Sequence, residues 1–230
     1  MVGSFPFPTA PSPSQLTAAL KVLCDIGLVD RSKNDSSGGD GRITSLGKSV
    51  SQLPLNARFG KMLLVATHAN VLEYAVAMVA VLSEVSPFQN ISDRSKSSES
   101  DNHSENSANS EEKSKSEQRN QWFHPHGDVL AALLAVGADS YARRGVGGAS
   151  EAAASKRFCE ENGLNFVVMQ RIQKLRKQLT KLVKMRLHST AGPLKTVGIN
   201  YSLSPPNRLQ ENALSQVCVL LFFQIEFNIF

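Results

Sequence analysis

The chain of 230 residues has few cysteines and no long uninterrupted apolar stretch. Cys24, Cys159 and Cys218 lie far apart and form no C-x-x-C pair, which argues against a disulfide framework or a zinc knuckle and favours a reducing compartment. The most apolar run, residues 217–230, holds 11 apolar residues in 14. It is shorter than the ~20 residues of a membrane-spanning helix. The first residues have no signal-peptide pattern, so we expect a soluble intracellular chain.

Motifs of common active sites are also missing. Gly47-Lys48-Ser49 has the ending of a phosphate-binding loop, but that loop needs its first glycine at position 42, which is Arg42; Gly41 misses by one. The three residues also fall within a predicted short helix. We therefore expect an ordinary helix start and no nucleotide site.

Three further groups invite a functional interpretation, and a structural one is favoured for each. The glycines of residues 145–148 have no βαβ unit around them and predict a flexible joint. His124 and His126 lack a third metal ligand nearby, and Cys159 has no histidine beside it in sequence, so packing is favoured. The chain has no G-x-S-x-G, H-E-x-x-H or paired acidic motif. We predict no catalytic site, metal or cofactor within it.

Acidic residues are absent from one long block, and this is the strongest signal in the sequence. Residues 162–210 contain nine Lys or Arg and no Asp or Glu, whereas the rest of the chain holds 16 basic and 20 acidic residues. The net charge of +5 therefore comes from this block alone. Such an asymmetry suggests an acidic partner for the block.

Composition and periodicity divide the chain into six segments and predict a mainly α fold. They are a proline-rich extended lead-in (1–13), a winged-helix-like domain of helix, short hairpin and two helices (14–68), a first bundle helix (69–88), a disordered serine-rich insert (89–121), a helical bundle (122–188) and an irregular tail (189–230). Ser14 and Ser45 are the predicted N-caps of the first two helices. Ten serines among the 33 residues of the insert, with almost no apolar residue, predict its disorder.

A long helix is predicted over residues 166–187. Its apolar seam is predicted to be Val168, Ile172, Leu175, Leu179 and Leu182, and its other faces carry Arg171, Lys174, Lys177, Lys181 and Lys184. The residues alone leave nucleic-acid contact and a plain solvated helix open, with a calmodulin-type or membrane-surface helix as a further interpretation.

The order of several short motifs resembles the helicase-associated region of DEAH-box RNA helicases. They are FPFPTAPSP, ITSLGKSVSQLPLNARFGKML, LSEVSPF, GDVLAALLAVGADSYAR, FCEENGL and QRIQKLRKQLTKLV. Together they extend over residues 5–187, interrupted by the serine-rich insert. The first motif and the R-K-Q-L-T of the last look most like the nucleolar branch that works on small-subunit ribosomal RNA precursors.

The resemblance implies a winged-helix domain followed by a ratchet-like helical bundle. In the family these pack on two RecA-like ATPase lobes and help to form a channel for single-stranded RNA, and the lobes use ATP and Mg²⁺ to unwind RNA. This chain has no phosphate loop and no D-E-A-H, and no run of strands follows its long helix. We therefore expect a truncated accessory portion that is not catalytic by itself and that acts in the nucleolus.

Charge and resemblance together select the candidate RNA-binding residues. They are Arg171, Lys174, Lys177, Lys181 and Lys184, with Arg58 and Lys61 in second rank. The expected partners are single-stranded or pre-ribosomal RNA and the RecA lobes of the parent helicase, and no membrane. Two alternatives stay open: a winged-helix regulator of duplex DNA that uses residues 46–53 or 56–68 as recognition helix, and a protein-interaction scaffold.

Overall fold

The computed structural model describes residues 6, 8–30, 41–88, 121–145, 147–187 and 203–222. Within these residues the chain forms eight α-helices and one two-stranded hairpin, which confirms the predicted mainly α fold. Contacts group the chain into two compact units. The first comprises Met1–Asn70, Leu182–Lys195 and Gln216–Phe230, and the second Val71–Lys181 and Thr196–Ser215. Across the described ranges, no helix has both the length and the apolar character needed to cross a membrane.

The first unit begins with a helix, a short hairpin and two helices, in the predicted order. These are α1 (Pro13–Asp25), β1 (Val29–Asp30), β2 (Arg42–Ile43), α2 (Ser45–Ser51) and α3 (Ala57–His68). The strands pair antiparallel, with Val29 opposite Ile43 and Asp30 opposite Arg42. Assignment of this unit to the winged-helix class stays a prediction.

Helix α1 begins earlier than expected, so the prediction of Ser14 as its N-cap is wrong. Ser12 is the N-cap: its Oγ accepts from the N–H of Gln15 at 3.3 Å, and Oε1 of Gln15 accepts from the N–H of Ser12 at 3.0 Å. Pro13 suits the first helical position because its φ is fixed and it has no N–H to satisfy. Gly27, at φ +74°, follows the end of the helix as predicted.

Thr44, not the predicted Ser45, caps α2. Its Oγ1 accepts from the N–H of Gly47 at 3.0 Å and donates to the carbonyl oxygen of Gly27 at 2.9 Å, so one hydroxyl joins the start of α2 to the turn after α1. Gly47 is buried, and a Cβ there would collide with the carbonyl oxygen of Leu28. Close packing thus explains the glycine of the G-K-S sequence.

The second unit is built around the apolar helix α4 (Leu72–Leu82). Every residue from Tyr74 to Val81 in α4 is buried, as expected for a helix that is apolar all round. It packs against α5 (Asp128–Ala142), which in turn packs against α6 (Ala149–Glu161). Helix α7 (Phe166–Leu187) follows and contributes its residues up to Lys181 to this unit.

The predicted apolar seam of α7 is only partly correct. Leu175 and Leu182 are half-buried, whereas a broader face is buried. The buried side chains are Val168, Met169, Ile172, Gln173, Arg176, Leu179, Thr180 and Val183. The helix therefore buries the wide stripe of a globular protein, with polar members, and not the narrow seam of a coiled coil.

The prediction of an irregular tail over 189–230 is wrong where the structure describes a helix, α8 (Arg208–Phe222). Asn207 caps it: its Oδ1 accepts from the N–H of Gln210 at 2.9 Å, and Oε1 of Gln210 accepts from the N–H of Asn207 at 2.9 Å. Leu214 and Val217 are buried. The predicted disorder of the insert falls almost wholly on residues 89–120, which lie outside the described residues, as do 188–202 and 223–230.

Candidate nucleic-acid interface

Helix α7 carries the first-rank candidate residues, and a local cap fixes its start. Oδ1 of Asn165 accepts from the N–H groups of Val167 and Val168 at 3.0 and 3.2 Å. The predicted bounds of 166–187 are confirmed. The 22 residues give a helix about 33 Å long at ~1.5 Å per residue, which is long enough to follow several nucleotides of an extended strand.

The five first-rank cations lie on one exposed side of α7. We call this set the cation face: Arg171, Lys174, Lys177, Lys181 and Lys184. Steps of three and four residues place them on the side opposite the buried stripe. The first four belong to the second unit; Lys184 is on the last turns of the helix, which group with the first unit. Among the described residues, Lys177 is the one member that contacts a carboxylate, Oε1 of Glu151 at 3.3 Å.

Arg176 belongs to the same basic block but points inward. It is 4% exposed, and its Nη1 donates to Oγ of Ser140 at 2.9 Å. Burial lowers the pKa of the guanidinium to about 10, partly opposed by the negative charge of Glu73, so Arg176 stays charged at neutral pH. This arginine is committed to the interior and is not available to a nucleic acid.

Arg176 is part of a set of polar side chains that joins α5, α6 and α7. We call it the buried polar cluster: Asp139, Ser140, Arg143, Ser155, Gln173 and Arg176. Ser155 Oγ donates to Asp139 Oδ1 at 2.5 Å and accepts from Arg143 Nη2 at 2.5 Å. Nε2 of Gln173 donates to Asp139 Oδ2 at 2.9 Å. Arg143 Nε is 2.8 Å from the same oxygen, as a charge contact without hydrogen-bond alignment.

The cluster fixes the orientation of the cation face. Because Gln173 is bonded to Asp139 and Arg176 to Ser140, rotating α7 about its axis would break both bonds between polar groups that have little access to solvent, at a cost in free energy. The cluster was not predicted from the sequence. One signal was present: Asp139 and Arg143 are four residues apart in an otherwise mainly apolar helix, the spacing of an ion pair.

Glu151 connects the cluster to the cation face. Its Oε1 lies 3.7 Å from Nη1 of Arg143 and 3.3 Å from Nζ of Lys177. The carboxylate therefore sits between one largely buried cation and one exposed cation.

The second-rank candidates, Arg58 and Lys61, lie on α3 and belong to the first unit, whereas the first four cations of the cation face belong to the second. Both are half-buried. Nζ of Lys61 donates to the carbonyl oxygen of Ile26 at 2.9 Å, at the end of α1, and burial lowers the pKa of the Lys61 ammonium. A structural bond thus accounts for Lys61, and its RNA contact stays a prediction.

The glycines of residues 145–148, the two histidines and Cys159, for which packing or a joint was predicted, all lie in the second unit. Gly145 (φ +79°) and Gly148 (φ +63°) lie in the connection between α5 and α6. His124 accepts through Nδ1 from the N–H of His126 at 3.2 Å and faces Glu211 at 3.6 Å. In the part of the chain that the structure describes, no three His, Cys, Asp or Glu residues are arranged to hold a metal ion. Cys159 is fully buried, which raises the pKa of its thiol to about 11 and disfavours a nucleophilic thiolate.

The comparison with protein families identifies the class of domain. Residues 56–132 match the family described as "Helicase associated domain (HA2), ratchet-like". The match includes α3 and α4 and reaches into α5.

Individual relatives extend this match over most of the chain. It is 29% identical over 93% of its length to "Probable ATP-dependent RNA helicase kurz" of Drosophila melanogaster, and 27% identical over 93% to "Probable ATP-dependent RNA helicase DHX37" of Homo sapiens. It is 34% identical over 79% of its length to "ATP-dependent RNA helicase DEAH13" of Arabidopsis thaliana. The chain spans 16%, 18% and 15% of these three proteins. The resemblance to the helicase-associated region of DEAH-box RNA helicases is thereby confirmed.

Proposed function

We propose that the chain serves as the RNA-contacting accessory portion of an ATP-dependent DEAH-box RNA helicase in ribosomal RNA processing, without catalytic activity of its own. Its proposed partners are single-stranded or pre-ribosomal RNA and the RecA lobes of that helicase, in the nucleolus. ATP and Mg²⁺ would serve those lobes. Gly47 of the G-K-S sequence packs against the carbonyl oxygen of Leu28, and this packing explains the glycine without a bound nucleotide. We therefore propose no role in ATP hydrolysis for these three residues.

The observation that carries this proposal is the exposed cation face on a helix whose orientation is fixed. The cations follow the helix axis, which rises ~1.5 Å per residue, and can contact successive phosphates of a strand. Such contacts release the counterions of the strand and select no base sequence. Because packing already fixes the backbone of α7, the cations share one side of the helix before binding, and no backbone has to be ordered when a strand arrives. Sequence-independent contact suits a helicase that moves along RNA.

The deciding experiment compares two variants with equal charge loss. In the first, Arg171, Lys174, Lys177 and Lys181 are changed to Gln. In the second, the exposed cations Lys21, Lys48, Lys156 and Arg157 are changed to Gln. We expect the first variant to bind labelled single-stranded RNA more weakly. The slope of the logarithm of the binding constant against the logarithm of the salt concentration should become shallower by up to about 0.7 per lost phosphate contact. The second is expected to bind like the unchanged protein; adding Lys184→Gln to the first extends the effect.

Equal binding by the two variants would contradict the role of the cation face. The same titration with duplex DNA as competitor separates the alternatives. Preference for duplex DNA would favour the winged-helix regulator, and absence of any nucleic-acid binding would favour the scaffold. The structure of α3 disfavours the winged-helix regulator with 56–68 as its recognition helix. Lys61 of this helix is bonded to Ile26, and the buried residues of α3 are Gly60, Met62, Leu63, Leu64 and Ala66.

A further inference from the structure

The second unit contains a cavity that the proposed function does not use. Its volume is about 590 Å³, and its walls come from α5 and α6, from Tyr74 of α4, from Trp122 and Arg144, and from the segment 203–206. Cavities of this size, ~300–1,000 Å³ with mostly apolar walls, are typical of sites for small planar ligands and cofactors.

Aromatic rings form much of the wall. Trp122 and Phe158 meet edge to face, with centroids 6.4 Å apart and planes at 70°. Nε1 of Trp122 donates to the carbonyl oxygen of Asn162 at 3.1 Å, which holds the indole in place. Tyr141 also lines the cavity, yet it is 69% exposed, so its ring is accessible to a ligand that enters from solvent.

The charge at the cavity is positive. Arg144 lines it and is exposed, and none of the lining residues that the structure describes is acidic. The neighbouring Arg143 is joined to the cation face through Glu151, which contacts both Arg143 and Lys177. The cavity and the first four cations therefore belong to one compact unit, and Arg144 at the cavity is the neighbour in sequence of Arg143.

We infer that this cavity receives an unpaired nucleobase of single-stranded RNA, with its ring against Tyr141 and an adjoining phosphate at Arg144. The inference rests on the proposed function, because the cation face holds the strand from which the base turns. An aromatic wall beside an arginine matches the chemistry of a nucleotide, which is planar and apolar on its base faces and anionic on its backbone. Stacking accepts any base, so the site adds affinity without sequence preference.

The test uses Trp122, the sole tryptophan of the chain, as reporter. The full chain is titrated with a short oligouridylate and with an abasic oligomer of the same length. We expect the oligouridylate to quench Trp122 fluorescence and to bind roughly tenfold more tightly than the abasic strand, the size of effect that one stacked base produces. Tyr141→Ala should remove this difference, and Tyr141→Phe should keep it.

Phe123→Ala is the matched control, because Phe123 is 78% exposed in the same unit and does not line the cavity. Equal binding of the two oligomers, or an equal loss in Phe123→Ala, overturns the inference and leaves the cation face intact. Loss of all salt-dependent binding, including that of the abasic strand, overturns the proposed function and the inference together. Circular dichroism of each variant confirms that it is folded.

Discussion

The two faces of helix α7 carry the same kinds of side chain and put them to different uses. Arg171 is exposed, whereas Arg176, five residues later, is buried and bonded to Ser140 and Gln173. The first is free to exchange water and counterions for a phosphate. The second holds the helix in place. A count of cations in a sequence therefore mixes exposed side chains, which are available to a ligand, with structural ones, and burial separates the two.

The largest effect is expected from the centre of the buried face. Asp139→Ala removes the carboxylate that Arg143, Ser155 and Gln173 share, and it leaves buried polar groups without partners. We expect the free energy of unfolding to fall by about 3–5 kcal/mol, as for a broken buried ion pair. Urea denaturation followed by Trp122 fluorescence measures it. Asp128→Ala, at the exposed start of the same helix, should cost about 0.5 kcal/mol.

The next effect in size comes from changing one arginine to glutamine on each face of α7. Arg176→Gln loses a buried charged donor, and we expect it to lower the free energy of unfolding by about 1.5–3 kcal/mol while RNA affinity of the folded protein is kept. Arg171→Gln should change stability by less than about 0.5 kcal/mol and weaken RNA binding. Urea denaturation and fluorescence anisotropy with labelled RNA give the two values. If both substitutions affect the same property, the division between the faces is wrong.

The smallest effect is expected at Lys61, in the first unit, where a cation is also held by a structural bond. Lys61→Met removes the hydrogen bond from Nζ to the carbonyl oxygen of Ile26 and should lower the free energy of unfolding by about 1 kcal/mol. RNA affinity should stay at the value of Lys21→Met, an exposed cation of α1 that loses the same charge. A clearly weaker affinity for Lys61→Met than for Lys21→Met would return Lys61 to the RNA-binding set.

Helix positions could be predicted well where strong local signals agree. The bounds of α7 and the helix–hairpin–helix–helix order of the first unit follow from periodicity, proline and glycine. Caps were harder, because Ser12 and Ser14 both stand near Pro13 and only the reciprocal bond with Gln15 decides between them. Helix α8 was not predicted, because the apolar run at the end of the chain was interpreted as an irregular tail. The helix start is visible in the sequence as Asn207 and Gln210, which form a capping box.

The candidate site shows the same limit. The charge block located the cation face, because absence of acidic residues is visible in sequence. The buried polar cluster was not predicted, since its bonds from Gln173 and Arg176 to Asp139 and Ser140 join residues 33 to 36 positions apart. Arg176 and Lys177 are neighbours in sequence, and only the packing of α7 against α5 assigns them opposite roles.

Glu151 gives Lys177 a counterion that is part of the protein itself. A mobile chloride ion beside a lysine leaves and gains translational entropy when a phosphate arrives, but a carboxylate on α6 stays beside its partner. Lys177 therefore contributes less than Arg171 or Lys174 to the salt dependence of any anion bound along the helix. Glu151 is also shared with Arg143, so the protein's own negative charge would compete with a bound anion at one point of the cation face.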